Sequence, residues 1–125
     1  MAEELVRLWL PWPPSVNRLY RAIGSRSILS QDARNYYAAA RQVVFEQQAA
    51  RGIGCQVVAA FTFWPPTKRE YDVDNRFKAL FDALEKSGVV ANDKLIRGGT
   101  FDAQDFTPNR KGVVDITLER RVQPT

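Results

Sequence analysis

Histidine is missing from the chain altogether, and cysteine occurs once, at Cys55. Without histidine there is no Ser-His-Asp triad, no Cys-His pair and no imidazole general base. A zinc centre of cysteine and histidine ligands is excluded with them. A lone cysteine cannot close an internal disulfide, so a reducing cytoplasm is the expected setting, and the apolar run around Cys55 makes it a core residue. No apolar stretch approaches the roughly 20 residues of a membrane span, and nothing resembles a cleavable signal. Any catalysis must run on carboxylates, lysine, tyrosine or a metal ion.

Acidic side chains are scarce in one long stretch. From Leu5 to Gln31 there is none, while Arg7, Arg18, Arg21 and Arg26 all fall inside it. The formal charge of +4 is modest and by itself weak support for a nucleic-acid partner. Arginine supplies most of the basic residues, and its planar fork suits phosphate oxygens better than lysine does. At 125 residues the chain is expected to form a single domain (1–125) with a real core.

Acidic residues return where the chain is most organised, in Tyr71-Asp72-Val73-Asp74-Asn75-Arg76-Phe77-Lys78. Asp72 and Asp74 project together if they leave a strand end, and two such carboxylates repel unless a cation offsets them. Magnesium and similar hard ions take oxygen ligands of this kind. An EF-hand is excluded, because its sixth position needs glycine and its twelfth glutamate, and Phe77 and Ala83 stand there. An N-cap role for Asp74 is open too, but it leaves Asp72 unexplained.

Phe77, Leu80, Phe81 and Leu84 recur at helical spacing and predict a helix from Asn75 to Ser87, closed by Gly88. Asp74, Lys78 and Asp82 share one ridge of it; Lys78 would hold a phosphate against a metal or belong to a surface ion-pair ladder. Asp93 is the third candidate ligand. A helix of that length spans about 20 Å. The six residues from Gly88 to Asp93 return about 20 Å if fully extended, so closure is possible but tight.

The rest of the chain supplies a scaffold. Leu5–Leu10 alternates as a first strand, and Ser15–Leu29 is expected to be a loop. Its arginines interleaved with Tyr20 suit backbone contact and stacking on nucleic acid, though the same composition describes a solvated surface loop. Ser30 caps a predicted helix from Gln31 to about Ala50, with Gly52 beyond its end. Cys55–Trp64, nearly all apolar, reads as a central strand covered on both faces. Leu95–Phe101 is a third strand, with Gly98-Gly99 marking a bulge or bend. Val113–Leu118 alternates as a fourth, and Arg120 onward is expected to fray. The order β-α-β-α-β-β predicts an α/β (α+β) fold, a small mixed four-stranded sheet with two helices.

Two blocks together carry a resemblance. Leu10-Pro11-Trp12-Pro13-Pro14-Ser15-Val16-Asn17-Arg18-Leu19-Tyr20-Arg21 is similar to the opening of the RusA family of Holliday-junction resolvases. Asp72-Val73-Asp74-Asn75 with Lys78, then Phe81-Asp82-Ala83-Leu84, Gly88 and Asn92-Asp93, resembles that family's catalytic region with its spacing intact. The resemblance runs from about Leu8 to Leu118. It implies a homodimeric, Mg2+-dependent endodeoxyribonuclease, with Mn2+ as a substitute ion, that nicks four-way junction DNA symmetrically.

On that resemblance Asp72, Asp74 and Asp93 are the catalytic carboxylates and metal ligands, and Lys78 is the functional lysine. Asn17, Arg18, Arg21, Arg26, Lys68, Arg69 and Arg76 are the expected DNA contacts, positioning the backbone without reading sequence. Hydrolysis by a metal-activated water needs no histidine, which agrees with its absence. Two rival functions remain open. A DNA-binding module with structural aspartates would bind junctions equally well in EDTA and never cut them. Another Mg2+-dependent phosphohydrolase would act on nucleotides.

Overall fold

The structure, a computed structural model, describes residues 3–122. Its frame is a four-stranded sheet in the order β1-β6-β4-β5. The strands are β1 (Glu4–Pro11), β4 (Val57–Trp64), β5 (Ile96–Ala103) and β6 (Val113–Arg120). β1 and β4 both run antiparallel to β6, and β5 runs parallel to β4, so the sheet is mixed as expected. Two helices, α1 (Gln31–Glu46) and α2 (Phe77–Lys86), bury their apolar faces on one side of it. Val6, Leu8 and Leu10 of β1 and Val114, Ile116 and Leu118 of β6 point into that core, following the alternation in the sequence. Among the described residues no helix is long and apolar enough to cross a membrane.

β4 departs from expectation. It lies between two strands, but only Val57, Ala59, Phe61 and Phe63 are buried, while Ala60 is exposed on the other face. Both helices lie on one side, and among the described residues no helix covers the other. The outward face, Val58, Ala60, Thr62 and Trp64, is only partly covered or exposed, so the near-continuous apolar run does not mark a second covering layer.

α1 stops at Glu46 rather than near Ala50. Gln48 takes φ 57°, its N–H donates to the Phe45 carbonyl, and the Ala49 N–H donates to that of Val44. Those are the bonds of a Schellman cap, with glutamine where glycine is usual. At the other end Ser30 caps as expected, its hydroxyl accepting from the Ala33 N–H at 3.0 Å.

The expected loop from Ser15 to Leu29 is more ordered than its composition suggests. Val16–Arg18 forms a 3-10 turn, and β2 (Tyr20–Ile23) pairs with β3 (Arg26–Leu29) as a separate hairpin. Gly24, at φ 61°, opens the two-residue turn that this pairing needs. The chain order thus gains two strands ahead of α1.

β5 follows β4 with a register shift between Val57 and Val58, the bulge that Gly98-Gly99 foreshadowed. Gly99 is indispensable: a Cβ there would fall 1.8 Å from the Ala59 carbonyl oxygen. β6 continues through Arg120, and the Arg121 N–H still donates to the Gln56 carbonyl. The frayed tail expected from Arg120 onward is therefore corrected over its first two residues; positions 123–125 lie outside the described residues.

Candidate active site and nucleic-acid surface

Asp72 and Asp74 sit ahead of α2, where Asp74–Arg76 makes a 3-10 turn leading into Phe77. Both are exposed. Asp72 accepts a long 3.3 Å bond from Asn75, and Asp74 makes no hydrogen bond or ion pair among the described residues. Neither carboxylate is committed to capping the helix, so the N-cap explanation of Asp74 falls away.

Arg76 anchors the opposite wall. Its Nη1 donates to the Pro13 carbonyl at 2.7 Å, and its guanidinium lies 5.6 Å from the Trp12 ring centroid. Trp12 meets Tyr71 edge-on at 5.0 Å, and the Tyr71 hydroxyl donates to the Gln104 carbonyl. The Pro-rich corner after β1 is thus a support on which one arginine is stacked and fixed. Burial, helped by nearby Arg18, pushes the Arg76 pKa down, and Asp72 partly opposes the shift. Its Nε is buried with no hydrogen-bond partner. The guanidinium is therefore held where its charge is uncomfortable, a property relieved by an arriving anion.

Around it opens a polar cleft of about 600 Å3, lined by Trp12, Ser15, Arg18, Asn35, Arg69 and Arg76 among others. A smaller hollow of about 240 Å3 lined by Ser15, Asp72, Asn75 and Arg76 adjoins it through two shared residues. Lys68 and Arg69 line a third depression together with Asp72. Arg18, Lys68, Arg69 and Arg76 therefore all border the acidic pair or the cleft beside it. Arg21 and Arg26 are exposed on the β2–β3 hairpin, and Asn17 is exposed in the turn before it.

Lys78 binds forward along α2. Its Nζ donates to Asp82 at 3.2 Å, and Asp82 also accepts from the Tyr37 hydroxyl at 3.1 Å. The hydrogen bond to Asp82 raises the Lys78 pKa, with smaller contributions from Tyr20 and Asp93, so the amine stays charged. Of the Asp74-Lys78-Asp82 ridge, only the Lys78–Asp82 pair is made. The Asp82–Tyr37 contact joins α2 to α1 and went unseen in the sequence, because no spacing links residues so far apart.

Asp93 starts a 3-10 turn running to Leu95, with the Asn92 side chain accepting from the Lys94 N–H. Its own N–H donates to Glu85 Oε1 at 2.8 Å. Its charge reaches Lys78. Val90 bridges Ile53 in the segment that leads to Asp93. Among the described residues no three carboxylates form a group that could hold a metal ion. The site thus has two parts: Asp72 and Asp74 beside the arginine cleft, and Asp93 with Lys78 alongside α2. The donor chemistry of the open pair suits a hard cation, two unengaged carboxylates being what such an ion takes.

A fold of this size with an open acidic pair beside an arginine-lined cleft has the parts of a nuclease, and the comparisons agree. Residues 11–119 match the model of a family of endodeoxyribonucleases. That family is described as Endodeoxyribonuclease RusA, and the chain belongs to it. The chain is 36% identical over 118 residues to the crossover junction endodeoxyribonuclease RusA of Aquifex aeolicus (strain VF5), covering 94% of this chain and 90% of that one. It is 34% identical over 87 residues to the proteins of the same name from Shigella sonnei (strain Ss046) and Escherichia coli (strain K12), covering 70% of this chain and 72% of each.

Proposed function

We propose that this endodeoxyribonuclease resolves four-way DNA junctions by paired, symmetric nicks, as a Mg2+-dependent homodimer. The observation that carries the reading is the juxtaposition of Asp72 with Arg76 and Arg69, next to the cleft that Arg18 lines: a carboxylate for a cation beside cations for a phosphate backbone. Asp72 and Asp74 would hold the ion, with Mn2+ as a substitute, while Asp93 stands apart from them beside Lys78. When bound, it supplies an acidified water and offsets charge on the phosphate oxygens.

The chain's own residues do the positioning. Arg76, stacked on Trp12 and pinned to Pro13, presents a pre-oriented fork to a phosphate. Arg18 and Arg69 extend that contact along the cleft, and Arg21 and Arg26 carry positive charge onto the hairpin beyond it. Lys78, kept protonated by Asp82, places a cation near Asp93 to steady the charge that develops on the phosphoryl oxygens during hydrolysis. A two-fold junction presents two equivalent strands, and a two-fold dimer brings one site to each. A reducing cytoplasm, where Cys55 stays a thiol, is the setting this reading expects.

The test is a synthetic mobile four-way junction and a matching linear duplex, each with and without Mg2+. Symmetric nicking of the junction in Mg2+ alone is expected. Asp74→Asn is expected to abolish nicking while sparing junction binding, since it removes a charge and keeps the shape. Equal cutting by Asp74→Asn and parent would remove the acidic pair from the chemistry. Cutting of the linear duplex at the same rate would remove junction selectivity.

A further inference from the structure

α1 and α2 meet at Tyr37. Its side chain is buried, its hydroxyl donates to Asp82 of α2 at 3.1 Å, and the Lys86 amine lies over its ring, 5.2 Å from the centroid. Tyr37 therefore marks the flank of α1 that looks toward α2. Arg34 stands three residues before it and Arg41 four after, so both share that flank, one turn to either side. Lys78 reaches the same seam from α2, held on Asp82. Tyr20 of β2 lies near enough to act on both Tyr37 and Lys78, which brings the root of the hairpin to one end of the seam.

The seam is consequently a basic furrow. Arg34, Arg41, Lys78 and Lys86 border it, all exposed, and the carboxylate among them, Asp82, is already taken up by Tyr37 and Lys78. The guanidinium groups of Arg34 and Arg41 make no hydrogen bond or ion pair among the described residues. Arginines on the sheet are treated differently. Arg7 pairs with Glu4, Arg120 with Glu3, and Arg110, just ahead of β6, with Asp115. Ala38, exposed between Arg34 and Arg41, leaves room for a close approach.

An open row of unneutralised cations fits a polyanion. Arg34 and Arg41, seven positions apart, are separated by about 10 Å along α1 at about 1.5 Å per residue. That is three steps of one DNA strand at about 3.4 Å of duplex axis each. The arginine cleft lies on the other flank of the same helix, where Asp32, Asn35 and Tyr36 join its lining. The root of the hairpin divides the two surfaces, with Arg18 on the cleft side and Tyr20 on the furrow side.

We propose that the furrow between α1 and α2 is a second phosphate-binding surface, seating the backbone of a duplex arm that leads away from the cleft, with Arg34, Arg41 and Lys86 as its contacts. It rests on the junction-binding reading above and extends it to a flank of the molecule that neither the acidic pair nor the cleft occupies.

The test is fluorescence anisotropy of a labelled four-way junction in EDTA at several salt concentrations, with circular dichroism checking that each variant is folded. Arg34→Gln and Arg41→Gln are each expected to lower the slope of log K against log salt by about 0.9, and the double variant by about 1.8. The double variant Arg34→Lys with Arg41→Lys keeps both charges and is expected to keep the parental slope. Arg7→Gln removes an equal charge from the sheet face turned away from the helices and is expected to leave the slope unchanged. A parental slope in the double glutamine variant overturns the furrow and leaves the cleft reading standing. An equal fall with Arg7→Gln does the same, because net charge would then be the cause. A parent chain that binds no junction overturns both.

Discussion

Replacing Arg76 with glutamine separates what that side chain does for the fold from what it does for DNA. On the folding side the variant loses a hydrogen bond from a charged donor, 2.7 Å to the Pro13 carbonyl, worth about 1.5–3 kcal/mol. It also loses a stack on Trp12 worth about 0.5–1 kcal/mol. Against that, the parent holds its guanidinium partly buried beside Arg18, a strain visible in its lowered pKa, and the neutral amide is relieved of it. The net loss is therefore set at about 1–2 kcal/mol, a fall in Tm of roughly 5 °C for a chain of this size. On the DNA side, one phosphate contact fewer lowers the slope of log K against log salt by about 0.9. Fluorescence anisotropy of a labelled junction in EDTA, titrated at several salt concentrations, reads that slope, and calorimetry reads the Tm. Arg76→Lys should keep most of the slope and still lose stability, because an ammonium cannot fork between carbonyl and phosphate. A glutamine variant with the parental salt slope would refute the assignment of Arg76 to the backbone contact, whatever its Tm.

Other outcomes follow from the same structure. Gly99→Ala must drive the Ala59 carbonyl away from a Cβ placed 1.8 Å from it, at a φ of 148°. The loss of several kcal/mol, a large part of a typical total of about 5–15, should appear in urea unfolding; a variant within 0.5 kcal/mol of the parent (about the scatter of a neutral surface change) would contradict the close β4–β5 approach. Asp93→Asn keeps the turn from Asp93 to Leu95 but removes the charge that reaches Lys78, and is expected to slow cleavage at saturating Mg2+, with junction binding in EDTA unchanged. Burial pushes the phenols of Tyr36 and Tyr37 above their ordinary pKa of about 10. Their contribution to stability is complete below that value and is lost as pH rises beyond it, so urea midpoints should fall steeply in alkali. Tyr36→Phe should flatten that fall and cost about 1–3 kcal/mol at neutral pH, because the Pro11 carbonyl loses its donor.

What the sequence made legible was whatever repeats at short range. The alternation of β1 and β6, the stripe on α2 and the Ser30 cap are all local patterns, and the structure keeps them. The acidic pair and the Trp12-Pro13-Pro14 corner were legible as separate blocks; their meeting through Arg76 was not, since the bond to Pro13 spans 63 positions. The β2–β3 hairpin was missed although Gly24-Ser25 between Ile23 and Arg26 is a fair turn signal, because the flanking strands carry no apolar alternation. The early end of α1 was missed because glutamine at 48 gives no warning of a left-handed residue. The one-sided burial of β4 could not be read from a run whose outward members, Val58, Ala60 and Trp64, are as apolar as its inward ones.

The β2–β3 hairpin is tied only at its root. The Ser30 N–H donates to the Leu19 carbonyl, the Ser30 hydroxyl donates to the Arg18 carbonyl, and Leu19 is wholly buried. From Tyr20 to Ser27 every residue is exposed, and the pair belongs to no larger sheet. A two-stranded ribbon of that length has little rigidity of its own. Arg21 and Arg26 therefore ride on a compliant finger hinged at a fixed knuckle, able to follow a helical arm whose angle changes while the cleft at its base stays put.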